Sequence, residues 1–419
     1  LYKERYTTEQ SDQNLNHQPA SVTRKWLSYL GPGIITAALV FGPGSLTVTS
    51  KLGAMFGYQL LWAIMVAVFF MIIFTEMGAR VGMVTQTSLL TLFKEKWGKG
   101  ASITLGICIF LITASFQAGN TVGASLAFAE LFQTEVKPWV VVFTLMALTL
   151  LFFSSFYKIL EKVMIALVGL MLLSFFITLL LAKPNLSSLL EGLIPGIPSG
   201  SEMLTIALIA SSFSVVGSFY QSYLVREKGW KADSMRQGKR ESIAGILILG
   251  LISSFILINA AAILHPQGIQ VNSATDMGLA LAPLYGSTAT YIFMLGLFAA
   301  SFSSLIGNAT IGGSLLSDAF SLGYHLNQKN VRMMIMLVML IGAGIAFTFG
   351  RLPLELIIFA QAITVVIAPL IGIALLIIAN DRQLMGEQRN KLWKNIGGVL
   401  GLLLLIFLSA SHIRSFIIN

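Results

Sequence analysis

The sequence predicts an all-α integral membrane protein, and three observations carry that reading. Of its 419 residues 56% are hydrophobic and only 11% charged, whereas soluble domains carry about 25% charged residues. Apolar runs of roughly 20 residues, the length that crosses about 30 Å of hydrocarbon, recur along the whole chain. The basic residues gather on alternate connections between those runs, as the positive-inside rule requires. The single Cys rules out a disulfide framework or a thiolate metal cluster.

Residues 1–25 are polar, mixed in charge and without an apolar core behind basic residues. They read as a cytosolic tail rather than a cleavable signal peptide, with a short interfacial helix expected around Lys25–Leu30. The first span, 32–50, is interrupted at Gly42-Pro43-Gly44-Ser45. The second, 57–78, is continuous, and Glu76 stands one turn before Arg80, an i,i+4 pair expected at the interface. The third, 101–130, follows Lys94, Lys96 and Lys99 and carries Gln117 and Asn120 on one face near its middle. Unbroken apolar runs give the fourth and fifth, 138–156 and 161–182, with Glu161 and Lys162 as interfacial groups.

The sixth span, 203–224, has no proline but collects Ser211, Ser212, Ser214, Gly217 and Ser218 about its centre. The seventh, 243–264, follows a dense basic run ending at Arg240. The eighth, 289–316, contains Ser301, Ser303, Ser304, Gly307, Asn308, Gly312 and Gly313. So many small residues either allow close helix approach or leave room for a sizeable ligand. Spans at 332–349, 353–379 and 395–413 complete eleven, the tenth holding Gln361, Thr364 and Pro369. Asp318, just past the eighth, reads as interfacial.

With the N-terminus inside, 22 of the 27 basic residues fall on the cytoplasmic side, which predicts N-terminus in and C-terminus out in a cytoplasmic (inner) membrane. The net charge of +9 is then an orientation signal rather than a nucleic-acid footprint. The two interrupted spans stand five apart, the arrangement of two inverted five-helix repeats whose discontinuous helices meet at the bilayer midplane. Taken singly, the Gly-Pro-Gly is also compatible with a packing kink, and the Ser/Gly set with a helix–helix contact. The domain division is a tail at 1–25, repeats at 26–200 and 201–380, and an eleventh helix with a short external end at 381–419.

Neither break offers a carboxylate, imidazole or thioether, and His17, His265, His325 and His412 are scattered. No metal site, Walker loop or nucleophile–base pair is recognisable, so no enzyme and no cofactor are expected.

The phrases "GPGIITAALVFGPGS", "LGAMFGYQLLWAI", "ARVGMVTQTS", "AKPNLSSLLEGLIPGIP", "INAAAILHPQG", "GLFAASFSS" and "QAITVVIAPL" occur in this order. Over nearly all of residues 26–415 the chain resembles the NRAMP (SLC11) family of divalent-metal transporters. The resemblance implies a leucine-transporter-type fold with alternating access around the first and sixth helices. The family's functional residues do not carry over. Its Asp-Pro-Gly-Asn falls on Gly42, Pro43, Gly44 and Ser45; its Met-Pro-His falls on Ser214, Val215 and Val216, with a following His on Gln221. The acidic pair of its third helix falls on Gln117 and Asn120, and a Gln of its eighth helix on Phe302.

The substrate-binding residues expected are Gly42, Gly44, Ser45, Gln117, Asn120, Ser211, Ser214, Gly217, Phe302 and Gln361, with no metal ligand among them. An uncharged site facing helix N-termini favours a bulky substrate over a naked dication. A metal chelate such as an iron–siderophore complex is the expectation, carried by a monomer in the lipid bilayer. The alternatives are a Mn²⁺, Fe²⁺ or Mg²⁺ transporter with an unusual site, or a non-transporting protein with a collapsed centre.

Overall fold

The computed structural model describes residues 31–418 except 86, 272, 273 and 350–353. The tail and the interfacial helix expected before residue 31 lie outside the described residues. The described chain is helical. Two short helices come first, α1 (Pro32–Val40) and α2 (Pro43–Phe56), followed by α3 (Leu61–Val84) and α4 (Leu89–Phe132). Next are α5 (Val136–Leu150), α6 (Phe156–Ala182), α7 (Glu202–Ser212), α8 (Val215–Glu227) and α9 (Met235–Ile263). The last four long helices are α10 (Ser287–Ala319), α11 (Lys329–Phe349), α12 (Leu354–Asn380) and α13 (Leu392–Ile418).

Among the described residues seven helices are long and apolar enough to cross a membrane, or nine if each of two bent pairs counts as one span. The α1–α2 pair is one of these, bent by 64°. Its bend follows from the sequence. A residue before proline is driven out of the α region, and Gly42 (φ −110°, ψ −176°) is extended, as is Phe41 before it. Pro43 then opens α2, where its missing N–H costs nothing. The α7–α8 interruption has a different cause. Phe213 and Ser214 leave helical geometry, and the Ser214 hydroxyl accepts a hydrogen bond from Gly217 N at 3.1 Å, capping α8.

The structure also alters the third span. Helix α4 starts at Leu89, not 101, and bends at Gly98, whose φ of +86° suits glycine. Lys94 and Lys96 therefore ride on a short helical segment that precedes the bend.

Helix α10 is the packing centre, with extensive contacts to α4, α6 and α11. Its small residues serve close approach. A Cβ on Gly307 would collide with Leu39 of α1, and one on Gly313 with the backbone of Ile335 in α11. On the other side of α1, Gly33 crosses α9 so tightly that a Cβ would meet the Glu241 carbonyl.

Candidate functional site

The last turn of α1 leaves carbonyls without intrahelical partners. Helix α10 supplies them: Ser304 Oγ donates to Ala38 O at 3.1 Å and Leu39 O at 3.3 Å, and Ser303 Oγ to Ala38 O at 3.3 Å. Asn308 Nδ2 reaches Leu39 O at 3.5 Å. Across the bend, Ser45 Oγ donates to Val40 O at 3.4 Å. The carbonyls at the end of α1 are thus met by side chains of α10 and by Ser45 at the start of α2.

Between this bend and the α7–α8 interruption lies a cavity of about 60 Å³. Gly42, Gly44, Ser45, Asn120 and Ser214 line it, together with Val40, Asn308 and Thr364 and the apolar Leu39, Ile112, Phe116, Val216 and Ile311. No carboxylate, imidazole, thiol or thioether is on that wall, and among the described residues no group of three or more His, Cys, Asp or Glu could hold a metal.

Asn120 is the polar group with most to offer. It is buried, and its Nδ2 makes no hydrogen bond to the described residues. A Cβ on Gly42 would stand 2.8 Å from Asn120 Oδ1 and 3.1 Å from Ser304 Oγ. The space that a larger side chain at position 42 would enter is therefore already taken by these two groups.

Other expected site residues are elsewhere. Gln117, one turn before Asn120, donates Nε2 to Leu305 O at 2.9 Å and ties α4 to α10. Gly217 serves the Ser214 cap. Phe302 belongs to an aromatic cluster, its ring 5.4 Å from Phe298 and 5.9 Å from Phe143. The side chains of Ser211 and Gln361 lie outside the described residues. Asn308 and Thr364, which the sequence shows as polar residues within apolar spans, join the cavity wall. Their signal was the isolated polar side chain in an apolar helix. Gln221 is buried behind α1, accepting from the Thr36 hydroxyl and donating Nε2 to Ser242 Oγ at 3.0 Å.

Charge is excluded from the cavity but concentrated at the basic ends of the helices. Glu76 and Arg80 approach to 3.5 Å, as their spacing predicts, yet both are buried, and Lys394 of α13 adds a 2.6 Å contact to Glu76. Glu161 bonds Lys228 at 2.5 Å, and Glu241, fully buried, stands 3.8 Å from the same ammonium. Asp318 is buried too, accepting a 2.5 Å hydrogen bond from Tyr223 Oη.

A family model described as natural resistance-associated macrophage protein-like matches residues 33–415. The chain belongs to the NRAMP family. A divalent metal cation transporter MntH of Chromohalobacter salexigens is 26% identical over 410 residues, covering 93% of this chain and 92% of the relative. Another, from Nostoc sp., is 28% identical, covering 89% and 87%. Among solved structures, the manganese transporter of Eremococcus coleocola in complex with an aromatic bis-isothiourea substituted compound superposes with a TM-score of 0.76 at 20% identity, covering 96% of this chain and 90% of that one. MHP1, a nucleobase-cation-symport-1 family transporter in a closed conformation, gives 0.62 at 14% identity, covering 92% of each chain. This NRAMP-family protein is accordingly a multi-pass secondary transporter and not an enzyme.

The family comparison corrects the expected cargo. Relatives matched over nearly their whole length are divalent metal cation transporters, which speaks against a bulky chelate such as an iron–siderophore complex. The geometry agrees: about 60 Å³ is far below the roughly 300–1,000 Å³ of sites that enclose organic ligands. The small residues of α10 that left room in the sequence are spent on helix contact instead.

Proposed function

We propose that this protein carries a divalent metal ion such as Mn²⁺, Fe²⁺ or Mg²⁺ across the membrane through an unusual site. The ion is held by carbonyl and hydroxyl oxygens with part of its water shell retained. The observation that carries the reading is the small, uncharged cavity where the α1–α2 bend faces the α7–α8 interruption, with Ser45, Asn120, Ser214, Asn308 and Thr364 as the polar groups of a partly apolar wall, in a chain whose full-length relatives are divalent metal cation transporters. Half-helix C-terminal ends and unwound carbonyls are suited to cations, and hard dications take oxygen ligands while keeping waters. Ser45, Ser214, Asn120 and Asn308 are the side chains assigned to the ion, with Gly42 and Gly44 giving backbone access and Gln117, Gly217, Ser211, Gln361 and Phe302 in support.

In this reading the chain has eleven spans as two inverted five-helix repeats, 26–200 and 201–380, with the first and sixth helices discontinuous. It works as a monomer with N-terminus inside and C-terminus outside. Purified protein in proteoliposomes should take up Mn²⁺ or Mg²⁺, with uptake falling at least about tenfold in the Ser45→Ala/Asn308→Ala variant, or roughly 1.4 kcal/mol. Absence of both dication flux and calorimetric dication binding in folded protein would refute it.

A further inference from the structure

A groove of about 370 Å³ runs between α4 and α12 on the outer surface of the helix bundle. Leu105 and Ala374 form its floor and Ala101, Cys108, Leu370 and Ile377 its walls. Ile367 and Ile377 mark its extent along α12. Ten residues of helix span about 15 Å, half of the roughly 30 Å hydrocarbon core. The groove therefore has the length of a single leaflet.

Its mouth has a different character. Trp97 closes the end nearest the basic connections, its ring centroid 4.3 Å from that of Phe93 and 5.8 Å from Lys96 Nζ. Tryptophan beside basic residues at the end of an apolar helix is typical of the membrane–water interface. Lys96 bridges to Asp381, which follows α12, so the two helices are tied across the mouth. Around this pair Lys99 and Arg382 are exposed, and Lys94 donates to Ser321 Oγ at 3.1 Å. Within residues 94–99 and 381–382 basic groups outnumber acidic ones, four to two.

We infer that this groove is a binding site for one anionic phospholipid, an acyl chain lying between α4 and α12 and the headgroup held by Lys99 and Arg382. The apolar floor matches the chain and the basic mouth matches a phosphate-bearing headgroup of net negative charge. The same two helices line the central cavity through Ile112, Asn120 and Thr364, and Cys108 is one turn from Ile112. The lipid therefore packs against two helices that also line the cavity.

Native mass spectrometry of the full chain in detergent tests this, offering phosphatidylglycerol and phosphatidylethanolamine with identical acyl chains. The wild type should retain phosphatidylglycerol roughly fivefold or more over phosphatidylethanolamine, as about 1 kcal/mol per basic residue implies. Lys99→Gln/Arg382→Gln should erase the preference, and Ala374→Phe, which fills the groove, should lose both lipids. Should Ala374→Phe fail to fold, Ala101→Leu narrows the same groove from the opposite wall. Quenching of Trp97 by brominated phosphatidylglycerol, read against Trp97→Phe, reports occupancy independently. Equal retention of the two lipids by the wild type, unchanged retention by a folded groove-filling variant, or a dimer that excludes lipid would each overturn the inference.

Discussion

Restoring a carboxylate to the α1–α2 bend should not by itself restore tight metal binding. In Gly42→Asp the new Cβ would stand 2.8 Å from Asn120 Oδ1. That is too close, so the Asn120 side chain must shift as well as turn, which offers its unpartnered Nδ2 to the new carboxylate. A hydrogen bond to a charged group is worth about 1.5–3 kcal/mol, and a metal would have to displace it. The attraction available is large: a dication about 4 Å from a carboxylate gains about 8 kcal/mol at an effective dielectric of 20. Desolvating the charges removes several kcal/mol of that. A net gain of about 2 kcal/mol is reasonable, or roughly 30-fold in affinity, which is similar to what the Asn120 amide takes back. The expected outcome is a gain below about threefold in Mn²⁺ affinity for Gly42→Asp. Measured against Asn120→Ala, which by itself removes one of the side chains assigned to the ion, Gly42→Asp/Asn120→Ala should gain about 30-fold, a coupling within the range seen for contacting residues. Calorimetry on purified protein measures both, and a Mn²⁺-dependent rise in Tm checks that the double variant is folded. Equal gains in the single and double variants would show that Asn120 does not occupy the carboxylate's place.

Three further tests address buried contacts outside the cavity wall. Gly33→Ala places a methyl group against the Glu241 carbonyl and should destabilise by about 1–3 kcal/mol, read as a lowered Tm. Lys228→Ala takes the counter-charge from Glu161 and from the fully buried Glu241 and should cost about 3 kcal/mol; adding Glu241→Gln should recover the part due to the buried carboxylate in the same thermal assay. Tyr223→Phe removes both the 2.5 Å donor to Asp318 and the acceptor for Leu90 N at 3.1 Å. A loss of about 2 kcal/mol is expected in thermal unfolding, and Asp318→Asn, which keeps a partner for Tyr223, should lose less.

Several features were legible in the sequence because they depend on local chemistry. Composition and run length identify a helical membrane protein, since a helix crosses hydrocarbon only if it is apolar and long enough. The Gly42-Pro43 pair announces a bend, since proline constrains both itself and its predecessor. The spacing of Glu76 and Arg80 announces a pair, although not that Lys394, more than 300 residues later, completes it in a buried setting. The absence of Asp and Met ligands at the breaks was equally plain, and the cavity wall bears no charge.

Volume was not legible. Whether the serines and glycines of α10 enclose space or abolish it depends on how near α1, α4 and α11 lie, and that is a property of the packed bundle. The structure spends Gly307 on Leu39 and Gly313 on Ile335, and so the site that reads in sequence as roomy measures about 60 Å³. Sequence alone determined the class of protein, the position of its first break and the loss of fixed charge at its centre. Tertiary structure decided which polar groups meet there and how large a cargo they admit, because close packing is set jointly by residues far apart in the chain.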